Sequence, residues 1–557
     1  MFGVDSDCDS RSLASIASAA MDPSSTPQQE TGNCTSETGN VPTVTEEVRL
    51  RRFLCYGSES ATYRAREQGN LCLERASSLT ELLEAGRGSE AVQEVQRISL
   101  RGGVRSAGSA LFALAVISQH SDVEAKRAAY GVVKEVCASP SELFSFVQYK
   151  KELSGAGPRG IWGRALRKAV ADWYNGRDAL RLARDITKCK RKGGWCHQDL
   201  FRLAHLKPAN DAVALVSKYV TKGWTAVQET YADREKTEDV MKVFVYLEAV
   251  EKTKHSSEEL EVAHLIEEHK LEREHVLAKH LKSREVWKAL LKEMSISTLL
   301  THLGKMTADK LLGSGSAETA AVCERIQDEH ALLKAKTHPL SVLLAAENYK
   351  RGHGKRGKLK WKPNRDIIQA LDTAFLKCFS NIESTGKRLV VGLDVSSRLS
   401  SVALGSLVST VTIAAAMSMV ITQREPNVDV VLFSEGAVVP CTISADSSLL
   451  QITMQLVQVC SSCTDCTLPI NWASDNDKMV DVFVIFTNNA TWPGRSNPAE
   501  TLRMYRQKTG IFSKLVVCGM TTNSLNLVDP DDGGVLEVCG FDSRTADVIC
   551  DFITDVI

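Results

Sequence analysis

The sequence predicts a multidomain chain, a long all-α region of helical repeats followed by an α/β domain built on a parallel sheet. At 557 residues it exceeds what one hydrophobic core supports, about 150 residues per domain. From Glu46 to about Leu376 apolar residues recur at three- and four-residue steps, the period of amphipathic helices. Near Asn381 the pattern changes to short Val-rich runs alternating with helical segments, the mark of a parallel sheet covered on both faces.

Residues 1–45 read as a disordered leader, because Ser, Thr, Gly, Pro and Asn dominate and few large hydrophobes are present to offset ordering entropy. Residues 46–379 form the helical region. "SALFALAVISQH", "AKRAAYGVVKEVC", "SELFSFVQYKKEL", "DVMKVFVYLEAVEK" and "SREVWKALLKEM" each carry the helical step, with hardly any strand-like alternation between them. The helices are short and separated by brief turns, as in helix-pair repeats of about 40 residues that stack into curved solenoids. No clean period is found, and a helical bundle is the alternative.

Residues 380–557 form the α/β domain. "KRLVVGLDV", "NVDVVLFS", "DVFVIFTN" and "KLVVCGM" read as buried strands, and "LVSTVTIAAAMSMVITQ" and "PAETLRMYRQK" as the helices between them. Sites in such sheets form at the carboxyl ends of strands.

The chain carries 68 basic and 68 acidic residues, but the balance is an average. Lys150 to Lys222 holds 17 Lys and Arg against 6 Asp and Glu, whereas Lys387 to Ile557 holds 11 basic against 18 acidic residues. In the basic stretch Arg164, Arg167 and Lys168 fall on or near one helical face, and Arg177, Arg181, Arg184 and Lys188 step by three or four. Lys190, Arg191 and Lys192 then lead through a Gly-Gly turn to Trp195 and His197. Cations at this spacing track a phosphate backbone, and Trp or His in a turn can stack on an unpaired base. The competing reading is a solvated basic face over Trp162, Trp173 and Trp195 as core residues. "YKRGHGKRGKLKWKP", Tyr349 to Pro363, adds a second basic cluster that reads as a flexible phosphate-contacting loop.

The sixteen cysteines lie among ordinary hydrophobic positions and read as reduced thiols of an intracellular protein. No signal peptide or run of about 18 apolar residues is present, so no membrane partner is expected. Cys460, Cys463 and Cys466 in "CSSCTDC" have metal-ligand intervals but lack a fourth ligand nearby. His264, His269 and His275 are spaced by five and six, which does not put two rings on one helical face. No Ser/His/Asp pattern, nucleophile elbow or phosphate-cradling glycine loop stands out, so the chain is expected not to be an enzyme. One segment does carry the beginning of a divalent-metal site: "VVGLDVSSRLSS", in which Asp394 and Ser396 end a buried strand and Arg398 occupies the next oxygen position.

Taken in order, "RFLCYGSE", "GIWGRALRKAVADWYN", "HLIEEHKLEREH", "LKSREVWKALLKEM", "GHGKRGKLKWKP", "TDCTLP" and "VDPDDGG" resemble the Ro ribonucleoprotein autoantigen family, from about residue 48 to the end. The resemblance implies a TROVE module of helical HEAT-like repeats closed into a ring, joined to a von Willebrand factor A-like domain. It implies a non-catalytic cytoplasmic protein, also found in the nucleus, that binds small noncoding Y RNAs on the basic outer surface. It further implies uptake of misfolded noncoding RNAs, whose single-stranded 3′ ends enter the central hole, and a part in RNA quality control and survival after ultraviolet damage. The expected RNA contacts are Arg164, Arg167, Lys168, Arg184, Lys188, Lys190, Arg191, Lys192 and His197. The alternative function is a protein-interaction scaffold whose A-like domain recruits partners.

The resemblance also implies a divalent cofactor, magnesium by preference, held by Asp394, Ser396 and Thr464. Two positions depart from the family pattern: Arg398 replaces a hydroxyl and Asn488 replaces an Asp. Both act against a cation, and the expected reading is that the Arg398 guanidinium takes the ion's place beside Asp394. A weakened magnesium site that keeps Asp394, Ser396 and Thr464 is the rival.

Overall fold

The computed structural model describes residues 44–557 apart from 67–68, 102–106, 156–159, 355–357, 396–400, 435–436, 458–464, 489–496 and 526–531. All but the last two residues of the expected leader therefore lie outside the described residues. Helices occupy Glu46 to Lys377 almost without interruption. Their ends are set by local chemistry. The helix Pro140–Ser154 begins with a reciprocal capping box between Ser139 and Glu142 and a proline in its first turn. Those of Ala179–Lys188, Asp211–Lys222 and Arg284–Glu293 begin on the side chains of Asp178, Asn210 and Ser283. Packing follows the order of a repeat array: Gly88–Leu100 on Val123–Val136, Ala107–Ile117 on Pro140–Ser154, and Pro339–Lys350 on Arg365–Lys377. No helix among the described residues is long and apolar enough to cross a membrane.

Nine strands are described: β1 Thr62–Arg64, β2 Arg191–Lys192, β3 Trp195–Cys196, β4 Arg388–Asp394, β5 Asn427–Ser434, β6 Ala437–Cys441, β7 Val482–Thr487, β8 Lys514–Gly519 and β9 Val535–Cys539. Seven form one sheet in the order β1-β9-β8-β7-β4-β5-β6. Every pairing is parallel except β5 with β6. The central strands are apolar throughout because both faces are covered. Val391, Leu393, Val484 and Val516 share a core with the helices Thr410–Arg424 and Thr545–Ile553, which is continuous with the core of the helical array. Val390, Phe483, Ile485 and Val517 face the other way, onto Ile470, Leu502 and Tyr505. Gly392 fits a close approach, since a Cβ there would meet Pro469 at 2.7 Å.

The four strand runs legible in the sequence are β4, β5, β7 and β8; β1, β6 and β9 emerge only in the structure. β1 comes from the helical side of the expected boundary and pairs with β9, Tyr63 against Val538. Its side chains reinforce the pairing: Thr62 Oγ1 donates to Glu537 at 2.9 Å and Tyr63 OH to Asp542 at 2.7 Å. Of the second basic cluster, residues 355–357 lie outside the described residues, and its two ends are anchored to each other. Trp361 N donates to Gly352 O at 2.9 Å, its indole to Tyr349 O at 2.9 Å, and its ring stacks on Tyr349.

Lys150 is 2% exposed in the core. Its ammonium donates to Ser118 Oγ at 2.7 Å and lies 5.2 Å from the Tyr130 ring, with no ion-pair partner among the described residues. Burial, with Lys126 nearby, pushes its pKa down to about 7. A lysine whose folded pKa lies below its unfolded value destabilises the fold while charged. That cost is greatest below about pH 7 and fades as pH rises through the window up to about 10. Lys150→Met is expected to raise stability at pH 6 by on the order of 2–4 kcal/mol, and the gap to wild type should close by about pH 10, as read by denaturant unfolding across that range.

Candidate nucleic-acid interface

The basic stretch folds as two helices, a hairpin and a third helix. In Arg164–Asn175 the residues Leu166, Ala169, Val170, Trp173 and Tyr174 are buried. That choice of inner face leaves Arg164, Arg167 and Lys168 exposed on the outer one. In Ala179–Lys188 the buried set is Ala179, Leu182, Ala183, Ile186 and Thr187. Arg184 is half-buried, its guanidinium 5.7 Å from the Tyr246 ring centre, and Lys188 is exposed beside Glu272 at 2.7 Å.

β2 and β3 are joined by Gly193 at φ 58° and Gly194 at φ 82°. A two-residue turn with both φ values positive matches the twist of a hairpin and selects glycine at both places. The hairpin leaves Lys190, Arg191 and Lys192 exposed, while Lys192 Nζ also donates to Ser141 Oγ at 2.7 Å. Arg164, Arg167, Lys168, Lys190 and Arg191 have no ion pair among the described residues, although the Glu251 carboxylate acts on Lys190 at longer range, so the surface carries an excess of positive charge.

The aromatic part of the expectation is corrected. His197 is 3% exposed, its Nε2 lies 2.8 Å from Cys189 O and its Nδ1 2.8 Å from Tyr174 OH. A carbonyl only accepts, so Nε2 carries the proton and Nδ1 accepts from the tyrosine. Burial pushes the imidazole down to about 4, which keeps it neutral. Trp162, Trp173 and Trp195 are likewise buried, with Trp195 Nε1 donating to Gln148 at 3.0 Å. None of these rings is available to stack on a base. They are the apolar footing that faces the cations outward.

Arg177 looks in the sequence like one more cation of the series, but its role differs. Its guanidinium lies 3.8 Å over the Trp173 ring, donates to Cys137 O and Ala138 O at 3.0 and 2.9 Å, and pairs with Asp185 at 3.4 Å. It fastens the two basic helices to the turn before Pro140. The three histidines of the charged segment diverge as their spacing implies. His264 is exposed, whereas His275 is buried against Thr187 and Tyr246.

The ion position of the α/β domain is partly described. Asp394 ends β4 at 2% exposure, and its Oδ2 accepts from Thr487 Oγ1 at 2.8 Å and from Asn488 N at 3.2 Å. Asn488 is equally buried, and neither its carboxamide nitrogen nor its oxygen has a hydrogen-bond partner among the described residues. Ser396, Arg398 and Thr464 lie outside the described residues, as do Cys460 and Cys463; Cys466 is a buried thiol pushed up to about 12 by burial. Among the described residues no group of three or more His, Cys, Asp or Glu could hold a metal ion. A divalent ion favours one or two carboxylates in an oxygen shell; Asp394 supplies a carboxylate at this position and Asn488 a neutral amide.

The TROVE domain model matches residues 34–348, and the Ro60 vWA domain model matches residues 388–553. The RNA-binding protein RO60 of Caenorhabditis elegans is 29% identical over 581 residues, covering 93% of this chain and 89% of that protein. The RNA-binding protein RO60 of Deinococcus radiodurans is 31% identical over 519 residues, covering 92% and 94%. The crystal structure of the Deinococcus radiodurans RO (RSR) protein superposes with a TM-score of 0.80 at 29% identity, over 92% of this chain and all of that one.

Because protonating His197 opposes folding, the native state should lose stability as pH falls from about 6.5 towards 4. This residue contributes on the order of 3 kcal/mol to that loss, and an NMR titration should find its ring neutral at pH 5.

Proposed function

This chain belongs to the TROVE family, and from that premise we propose that it is a non-catalytic RNA-binding ribonucleoprotein component. It holds small noncoding Y RNAs and takes up misfolded noncoding RNAs with single-stranded 3′ ends, in RNA quality control and stress survival in the cytoplasm. The observation that carries this reading is the set of five exposed cations without ion pairs among the described residues, Arg164, Arg167, Lys168, Lys190 and Arg191. They stand on helices and a hairpin locked from beneath by Trp173, Tyr174, Arg177 and His197. A rigid array of unneutralised cations suits a polyanion of regular phosphate spacing, and releases that polyanion's counterions on binding. The two relatives named RNA-binding proteins support the same assignment.

One observation favours an additional scaffold role for the A-like domain. The helix Leu449–Val457 carries no charged residue and exposes Leu450, Met454 and Val457 at 67%, 57% and 42%. Large apolar side chains gathered on one surface helix suit a protein partner. Recovery of crosslinked protein but no RNA would favour this role over the first.

We also propose that magnesium binding at the A-like position is lost or weak in this chain, as the engaged Asp394 carboxylate and the neutral Asn488 imply.

Two outcomes are expected. Replacing Lys188, Lys190, Arg191 and Lys192 together by Ala should weaken binding of a structured small RNA at least tenfold. It should also flatten the dependence of log K on log salt by roughly 0.7–0.9 for each phosphate no longer neutralised. Unchanged affinity in a filter-binding titration would remove the assignment. In calorimetry, wild-type protein should give no saturable heat with millimolar magnesium, whereas an Arg398→Ser, Asn488→Asp double variant should; tight binding by wild type would show the site intact.

A further inference from the structure

Of the expected RNA contacts, Lys188 is the one whose charge is matched by a carboxylate among the described residues. Its Nζ lies 2.7 Å from Glu272 Oε2 and 2.8 Å from Oε1, across 84 positions of sequence. Among the same residues Arg164, Arg167, Lys168 and Arg191 have no such partner, Lys190 feels Glu251 without pairing to it, and Lys192 meets the hydroxyl of Ser141.

The Glu272 side chain is half exposed, but its backbone is fixed. Its backbone N–H donates to His275 Nδ1 at 3.0 Å, and the other nitrogen of that buried ring lies 3.0 Å from Thr187 Oγ1 and 3.2 Å from Tyr246 OH. Thr187 immediately precedes Lys188. The short turn Arg273–His275 is thus pinned to the carboxyl end of the helix that presents the lysine, and the carboxylate is held over the ammonium.

A carboxylate oxygen pair at hydrogen-bond distance from a lysine fills the place a phosphate oxygen pair would take. We propose that Glu272 is a built-in competitor for backbone phosphate at Lys188, so that an RNA laying a phosphate there binds more weakly than the lysine alone would allow. This rests on the reading of the basic surface as RNA-binding. The cost is that of displacing or sharing one exposed pair, the same factor for every RNA that contacts Lys188 and a small one, because such pairs are individually weak. An RNA that bypasses Lys188 escapes it. The same carboxylate lowers the number of phosphates neutralised, so it makes weak binding less salt-dependent as well as weaker.

The test uses the full chain, a short RNA duplex of arbitrary sequence and a structured small noncoding RNA, in a cycle of Glu272→Gln, Lys188→Met and both together. Gln keeps the size and one acceptor oxygen of Glu272, and folding is checked by thermal melts. Glu272→Gln should tighten binding of the short duplex about two- to fivefold. It should steepen the log K against log salt slope by about 0.7–0.9, and tighten the structured RNA by a similar factor. In the Lys188→Met background the same substitution should do nothing. Equal tightening in both backgrounds would reduce Glu272 to a long-range charge and overturn the proposal. So would weakened binding by Glu272→Gln, which would make the carboxylate an aid to the lysine. If Lys188→Met and the four-residue alanine variant both left RNA affinity unchanged, the RNA reading itself would fall, an outcome that the Glu272 substitution alone cannot produce.

Discussion

The pairing of β1 with β9 is the interaction on which the arrangement of the molecule depends. Three residues near the start of the helical array enter the edge of a sheet whose remaining strands lie more than 320 positions later in the chain, Thr62 bonding to Glu537 across 475 positions. The array's other end runs through the helix Arg365–Lys377 and the short turn Cys378–Asn381 to β4. The helices therefore begin and end on the same α/β domain, and their core continues into that domain without a break. Buried carboxylates at such a junction require partners, because a desolvated acid left unpaired costs several kcal/mol. Thr62, Tyr63 and the Arg66 N–H supply those partners to Glu537 and Asp542.

With both ends fixed, each helix has one inner face, and the basic surface follows from that choice. Burying Trp173, Tyr174, Leu182 and Ile186 leaves Arg164, Arg167, Lys168 and Lys188 of the same helices outside. Trp195 and His197, whose positions in the sequence suggest base stacking, are instead buried beneath the surface, bonded to Gln148 and Tyr174. Such a surface offers charge and shape, which suit a phosphate backbone better than they suit bases.

At the carboxyl end of the sheet Asp394 is buried, and its Oδ2 accepts from Thr487 Oγ1 and the Asn488 N–H. The Asn488 carboxamide beside it is buried and without a partner among the described residues.

Sequence alone determined the two-part architecture, the helical array, the four central strands, the charged stretch and the family. All of these rest on local signals: periodicity, strand-length Val runs, charge density and long ordered motifs. It did not reveal β1, since three residues have no readable pattern and the strand exists only because β9 offers an unpaired edge. It could not separate His197 and Arg177 from their neighbours, because a cation or imidazole in a basic run looks the same whether it faces water or a carbonyl 2.8 to 3.0 Å away. The pairing of Lys188 with Glu272 was equally hidden. Tertiary packing decided all three, since burial and hydrogen bonding depend on groups that the chain brings together from far apart in sequence.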